Sequence, residues 1–300
     1  MSSFANILGS KLFTFLVGKL KQPVVVHSAA FAELSGPMYR LINGHMLEAN
    51  ENTAHIQNIN LHDFNRVAEL AYSGNYTAPS TGEPSELDEY DEDESDQESP
   101  TSENLLEYLS LIPVKAYGAL WRRATQVSIS VTPAQYFELA SNTLCDASQL
   151  DTTNYKPSWS GCQTPVLLGH ARLYAFASKY LIDPLKPMAF TKLARTLENM
   201  YLFRPTLTSV MKLASFVYDN DFVPDREGDR IDPIRRLVVS YVVMHYKHFK
   251  DFEGHRDLME EDCEYADDVL EHVGRYLDPE SQFDPTYRFE MAKNHVASWL

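Results

Sequence analysis

Three histidines toward the C-terminal end, His245, His248 and His255, are of the type that binds zinc or relays protons. They stand near two acidic groups, Glu260-Glu261-Asp262 and Asp267-Asp268. A zinc site needs three or four such donors at short, fixed spacings. Here the histidines are loosely spaced and the acids are not arranged as ligands. The histidines therefore read as surface residues, and the acids as the solvated face of an exposed helix. His27 could serve as a base, but no nucleophile stands at a spacing that would give it a catalytic partner. Cys145, Cys162 and Cys263 match no zinc pattern, and their odd number argues against a disulfide scaffold. They read as free thiols. The chain has no Gly-rich phosphate loop or nucleophile elbow, and glycine accounts for only 12 of 300 residues. No catalytic, metal-binding or cofactor-binding residue is assigned, no cofactor is expected, and the chain reads as a non-enzyme.

The strongest modification signal lies in an acidic run. Ser80, Ser85 and Ser95 each have an acid three residues on, at Glu83, Asp88 and Glu98, which suits an acidophilic kinase. Phosphate there would add charge to an already extended segment, so its readout would be partner binding rather than refolding. The competing reading is a solvated spacer, in which Leu87 and Tyr90 are the only apolar anchors. Between Ser80 and Asn104 there are eleven acidic residues and no basic one. They dominate the net charge of −16; without them 31 acidic residues face 26 basic ones, a balance of −5. No basic face suited to phosphate contacts is visible, so nucleic-acid binding is not expected.

Hydrophobic residues make up 44% of the chain and charged residues 23%, as in a soluble globular protein. No stretch approaches the roughly 20 apolar residues of a membrane helix. Residues 234–249 come nearest and are broken by Arg, His and Lys. The first residues lack the basic cluster and apolar core of a secretory signal. A cytoplasmic or nuclear location and no membrane partner are expected.

The elements that must position these residues fall into three blocks. Residues 12–17 and 23–26 read as strands around a turn at Gly18–Gln22. His27–Leu34 shifts to helical spacing and is stopped by Ser35-Gly36-Pro37. Pro37 suits the first turn of a helix running through Met38, Leu41 and Ile42 to Asn43-Gly44. A third strand fits His55–Leu61, and Asp63 suits the N-cap of a helix presenting Phe64, Val67 and Leu70 on one face. Residues 80–104 read as a disordered acidic insertion and 105–164 as its partly helical remainder, with a short helix at 132–144. Helical spacing resumes at 165–200, broken at Ile182-Asp183-Pro184. It continues over 206–219, 231–250 and 257–277, with a further short helix at Phe289–Leu300. Tyr241, Tyr246, Phe249, Val238 and Val242 read as the packed face of the 231–250 helix.

Several phrases resemble the BTB/POZ family, fungal type: VVVHSAAFAELSG at 24–36, DFNRVAELAYSGNY at 63–76 and LLGHARLYAFASKYLIDPLKPMAFTKL at 167–193. In that family a strand leads into a His that opens the first helix, followed by a hydrophobic residue and a Ser; His27, Phe31 and Ser35 match. The acid, aromatic and Tyr-x-Gly-x-Tyr turn after the third strand are matched by Asp63, Phe64, Tyr72, Gly74 and Tyr76. Tyr174, Ala177 and Tyr180 match the closing helical pair. Gly9-Ser10-Lys11-Leu12 carries no acid before the first strand, unlike many animal dimeric members.

The resemblance implies an α+β, predominantly helical chain. A BTB/POZ fold, a small sheet flanked by helices, would occupy 10–79 and be closed by 165–200. The acidic insertion would interrupt it, and an all-α region would follow over 201–300. His27 would then be a structural residue at a strand-to-helix junction. The implied role is non-enzymatic protein–protein interaction, as scaffold or adaptor, with protein partners and homo- or hetero-oligomerisation through the BTB domain. The alternative is a substrate adaptor of a cullin-type ubiquitin ligase. It rests on Met46 and Glu48, which lie where cullin adaptors of the family carry a hydrophobic-x-Glu contact.

Overall fold

The computed structural model describes residues 4–81, 163–200, 202, 204–228 and 230–277. The described residues are mostly helical and contain one three-stranded sheet. It divides into two compact units. One comprises Met1–Pro79 with Gly169–Phe190, and the other Ser80–Leu168 with Thr191–Leu300. The first unit is therefore discontinuous in sequence.

The first unit opens with α1 (Phe4–Leu8), β1 (Leu12–Val17) and β2 (Gln22–His27). Alternation decides the β1 faces: Phe13, Phe15 and Val17 are buried, while Leu12, Thr14 and Leu16 point the other way. The helices α2 (Ser28–Ala32), α3 (Gly36–Asn43) and α4 (Leu47–Glu51) then carry the chain to β3 (Thr53–Ile56). The strand order is β2-β1-β3, antiparallel in the first pair and parallel in the second. Next comes α5 (Leu61–Ser73). After the gap in the described residues, α6 (Thr164–Tyr180) and α7 (Leu185–Asn199) follow, and the boundary between the units passes through both.

Local chemistry explains these helix ends. Ser35 caps α3, its Oγ accepting the Met38 N–H at 3.2 Å, with Pro37 in the first turn. Gly44 ends that helix without a left-handed turn, at φ −73°; a side chain there would meet the Arg40 carbonyl oxygen at 2.3 Å. Gly74 does end α5 in the left-handed region, at φ 77°.

Two expectations are corrected here. The third strand is Thr53–Ile56 rather than His55–Leu61, because its pairing with β1 stops where the Gly18 N–H donates to Ile56 O. Asp63 is not the cap of α5. Asn60 is, its Oδ1 accepting the Asp63 N–H at 2.7 Å, which places Asp63 inside the first turn. The segment around Met46 is also a short helix of its own, α4.

The second unit holds α8 (Arg204–Tyr218), α9 (Pro233–Met244), α10 (Tyr246–Phe249), α11 (Glu253–Glu261) and α12 (Cys263–Leu277). Ile234 through Val243 are all buried, so α9 is covered on every side rather than packed by one face. The expected 231–250 helix breaks at His245, and the expected 257–277 helix breaks at Asp262. Tyr246, read as core, is 42% exposed beyond that first break. No helix among the described residues is long and apolar enough to cross a membrane.

Candidate functional site

Several residues on which the family resemblance rests, Phe31, Asp63, Phe64, Tyr76, Tyr174 and Ala177, are buried in the first unit. Phe31 on α2 stacks on Phe64 on α5 at 5.6 Å, and both rings lie near 5.1 Å from Phe15 on β1. Phe176 of α6 meets Phe64 edge-on at 6.4 Å, bringing the later segment into the same aromatic core. Tyr174 and Ala177 are buried on the same helix, and the Tyr180 ring lies tilted against Phe176 at 4.6 Å.

Three polar bridges join the early and late segments. Asp63, only 1% exposed at its side chain, accepts from Arg66 Nη1 at 3.0 Å and from Arg172 Nε at 2.5 Å. Each oxygen of the buried carboxylate is thus paired with a guanidinium, and a paired, hydrogen-bonded charge is one that burial tolerates. The Tyr76 hydroxyl lies 2.9 Å from His170 Nδ1, and burial raises its pKa well above the ordinary tyrosine value, Arg66 pulling the other way. Lys179 Nζ donates to Asn58 Oδ1 at 2.7 Å.

At the sheet edge, the Tyr72 hydroxyl accepts the His27 backbone N–H at 2.9 Å and lies 3.0 Å from His27 Nδ1. The register puts the outward N–H groups of β2 on residues 23, 25 and 27. Pro23 has none, and Tyr72 occupies that of His27, so the edge available for strand pairing is reduced to Val25.

Met46, 60% exposed, precedes α4, and Glu48 sits in its first turn beside Leu47, 66% exposed. Ser80 is exposed at the end of the early segment. Ser85, Ser95, Cys145, Cys162, the helix expected at 132–144 and that at Phe289–Leu300 lie outside the described residues. Cys263 is a free, exposed thiol.

In the second unit two sequence readings are corrected. His245 and His255 are buried, not surface residues. His255 Nδ1 lies 3.0 Å from the Tyr265 hydroxyl, while His245 Nε2 is buried without a hydrogen-bond partner. Burial, then the nearby His248 and Lys247, lower the His245 pKa to about 4. Asp268 is not part of a solvated face. It is fully buried, accepting from the Tyr218 hydroxyl at 2.6 Å and from Arg226 at 2.8 Å. Arg235, also fully buried, reaches Asp225 at 2.8 Å and also pairs with Glu264. No group of three His, Cys, Asp or Glu among the described residues is placed to hold a metal ion.

Sequence reasoning did not single out Arg66 and Arg172. The Asp-x-x-Arg spacing of 63 and 66 on one helix was a usable signal for the first; nothing local marks the second. Comparison of the chain with protein-family models, curated proteins and solved structures gives no match.

Proposed function

We propose that the chain is a non-enzymatic interaction protein, a scaffold or adaptor working in the cytoplasm or nucleus through a BTB/POZ-type head. The head comprises residues 4–79 and 169–190. The observation that carries this reading is a set of large apolar side chains left on its surface. Phe4, Leu8, Leu12 and Val25 are each more than half exposed. Phe4 and Leu8 lie one helical turn apart on α1. Leu12 and Val25 are diagonal neighbours on the outward face of the β1–β2 pair, since Thr14 stands opposite Val25. Exposed apolar neighbours such as these two pairs are what a contact surface presents. Affinity capture of the complete chain, compared with a Leu12→Glu/Val25→Glu variant, tests it. The expected result is loss of recovered partners, or of self-association, with an unchanged circular dichroism spectrum. An identical set of recovered proteins with both chains, or none with either, would overturn the reading.

A second reading, a cullin-ligase adaptor, is favoured by the exposure of Met46 and Leu47 next to Glu48. Cullin recovery that is absent, or unchanged by Glu48→Lys, would remove it.

A further inference from the structure

Leu181 follows α6 with φ 52°, in the left-handed region where glycine or asparagine usually ends a helix. The fold needs a left-handed residue there: the chain reverses so that the Ile182 N–H donates to Ala177 O at 3.0 Å and Ile182 is buried. It does not need a leucine. A branched side chain is strained in this conformation, and at 61% exposure Leu181 is not compensated by burial.

The same end of the unit repeats the pattern. The β1–β2 turn closes with the Lys21 N–H donating to Gly18 O at 3.2 Å, and Lys21 is itself left-handed at φ 51°. Leu20, between Lys19 and Lys21, is 82% exposed. His55 Nε2 lies 3.1 Å from Gly18 O, and Asn58 bonds Lys179, two residues before Leu181. With the Gly18 backbone also facing Ile59 O, these contacts join the hairpin tip to the 57–60 turn, and that turn to the end of α6, in one region of the unit. It carries Lys19, Lys21 and Lys179 against the single carboxylate of Asp183. The unit as a whole has eight basic and six acidic residues, a balance of +2 in a chain of −16.

We propose that this end is a docking site for an acidic linear segment of another polypeptide. An aliphatic or aromatic side chain of that segment would seat against Leu20 and Leu181, and its carboxylates would meet Lys19, Lys21 and Lys179. Strained, exposed residues that give the fold nothing are what such a contact surface retains. Charge complementarity selects an acidic occupant. Three lysines fall short of the roughly 4–8 that mark an anionic-lipid site, which favours a peptide over a membrane. The surface is separate from the Leu12–Val25 patch, so this inference stands or falls apart from the proposed function.

The test uses the complete chain and a fluorescein-labelled acidic peptide whose sequence the chain does not contain, Glu-Asp-Ile-Glu-Asp-Phe-Glu-Asp, read by fluorescence anisotropy. Saturable binding is expected, falling between about 0.1 M and about 1 M salt as the Debye length shrinks from about 10 to about 3 Å. Lys19→Glu/Lys21→Glu, on an exposed turn, should weaken binding at least about tenfold with an unchanged unfolding midpoint. Leu181→Asn should also weaken binding while raising that midpoint, because it relieves the left-handed strain. No binding, equal binding by the variants, or lysine-dependent recruitment to phosphatidylserine vesicles that the peptide does not compete would overturn the proposal.

Discussion

Arg172 and Asp63 form a 2.5 Å ion pair across 109 residues of sequence, inside one compact unit. Arg66 supplies the second guanidinium, at Oδ1, so both carboxylate oxygens are paired with an arginine only when the late segment is in place. Arg172→Met keeps most of the packing volume and removes one charge-assisted bond. It should cost about 1.5–3 kcal/mol of unfolding free energy, read from urea melts. Little or no loss would mean that Arg66 alone satisfies Asp63.

Close packing fixes a second point between the two segments. A methyl group on Gly169 would lie 2.5 Å from Pro79 Cγ, 3.0 Å from its Cβ and 3.4 Å from Asp63 Oδ1. Gly169→Ala should therefore destabilise by about 1–3 kcal/mol, despite the better helix propensity of alanine. A stabilised Gly169→Ala protein would show that Pro79 yields without cost.

Acid should destabilise the second unit through His245. Its folded pKa of about 4 lies below the ordinary 6.5, so between those values the unfolded chain binds more protons. The contribution is fully present above about pH 6.5, declines as pH falls, and is lost below about pH 4, amounting to about 3 kcal/mol. His248 and His255 are lowered by burial too and act in the same direction. Urea melts from pH 7.5 downward should show the decline, and His245→Phe should flatten part of it. An unchanged slope would exclude His245 as a source.

The Arg235 cluster should respond asymmetrically. Its side chain is fully buried, whereas those of Asp225 and Glu264 are 78% and 46% exposed. Arg235→Met returns two carboxylates to water, so it should be the milder change. Asp225→Ala/Glu264→Ala leaves a buried guanidinium without its counterions and should cost about 3–5 kcal/mol. The reverse order in chemical melts would contradict this arrangement.

What the sequence disclosed follows from the range of the interactions. Alternation in β1, the turn after it, and Ser35-Gly36-Pro37 ahead of α3 are local signals, and the corresponding elements form. Asp63 and Asn60, three residues earlier, have the same capping chemistry, so sequence alone does not say which of them opens α5. The break at His245 lies in a run without Pro or Gly, so nothing local announces it. The apolar stripe of α9 could not reveal that the remaining faces are covered as well. Asp268 reads as one acid among many, and its burial depends on Tyr218 and Arg226, at least 42 residues away. The partner of Asp63 is more distant still, and chain order alone does not identify it.

Native-state hydrogen exchange on the complete chain, with and without Arg172→Met, tests most directly whether residues 4–79 and 169–190 fold as one body. If they do, the slow amides of β1, α5 and the 169–180 part of α6 share one opening free energy and lose protection by the same amount in the variant. Loss of protection confined to α6, with β1 and α5 unchanged, would contradict a single discontinuous head.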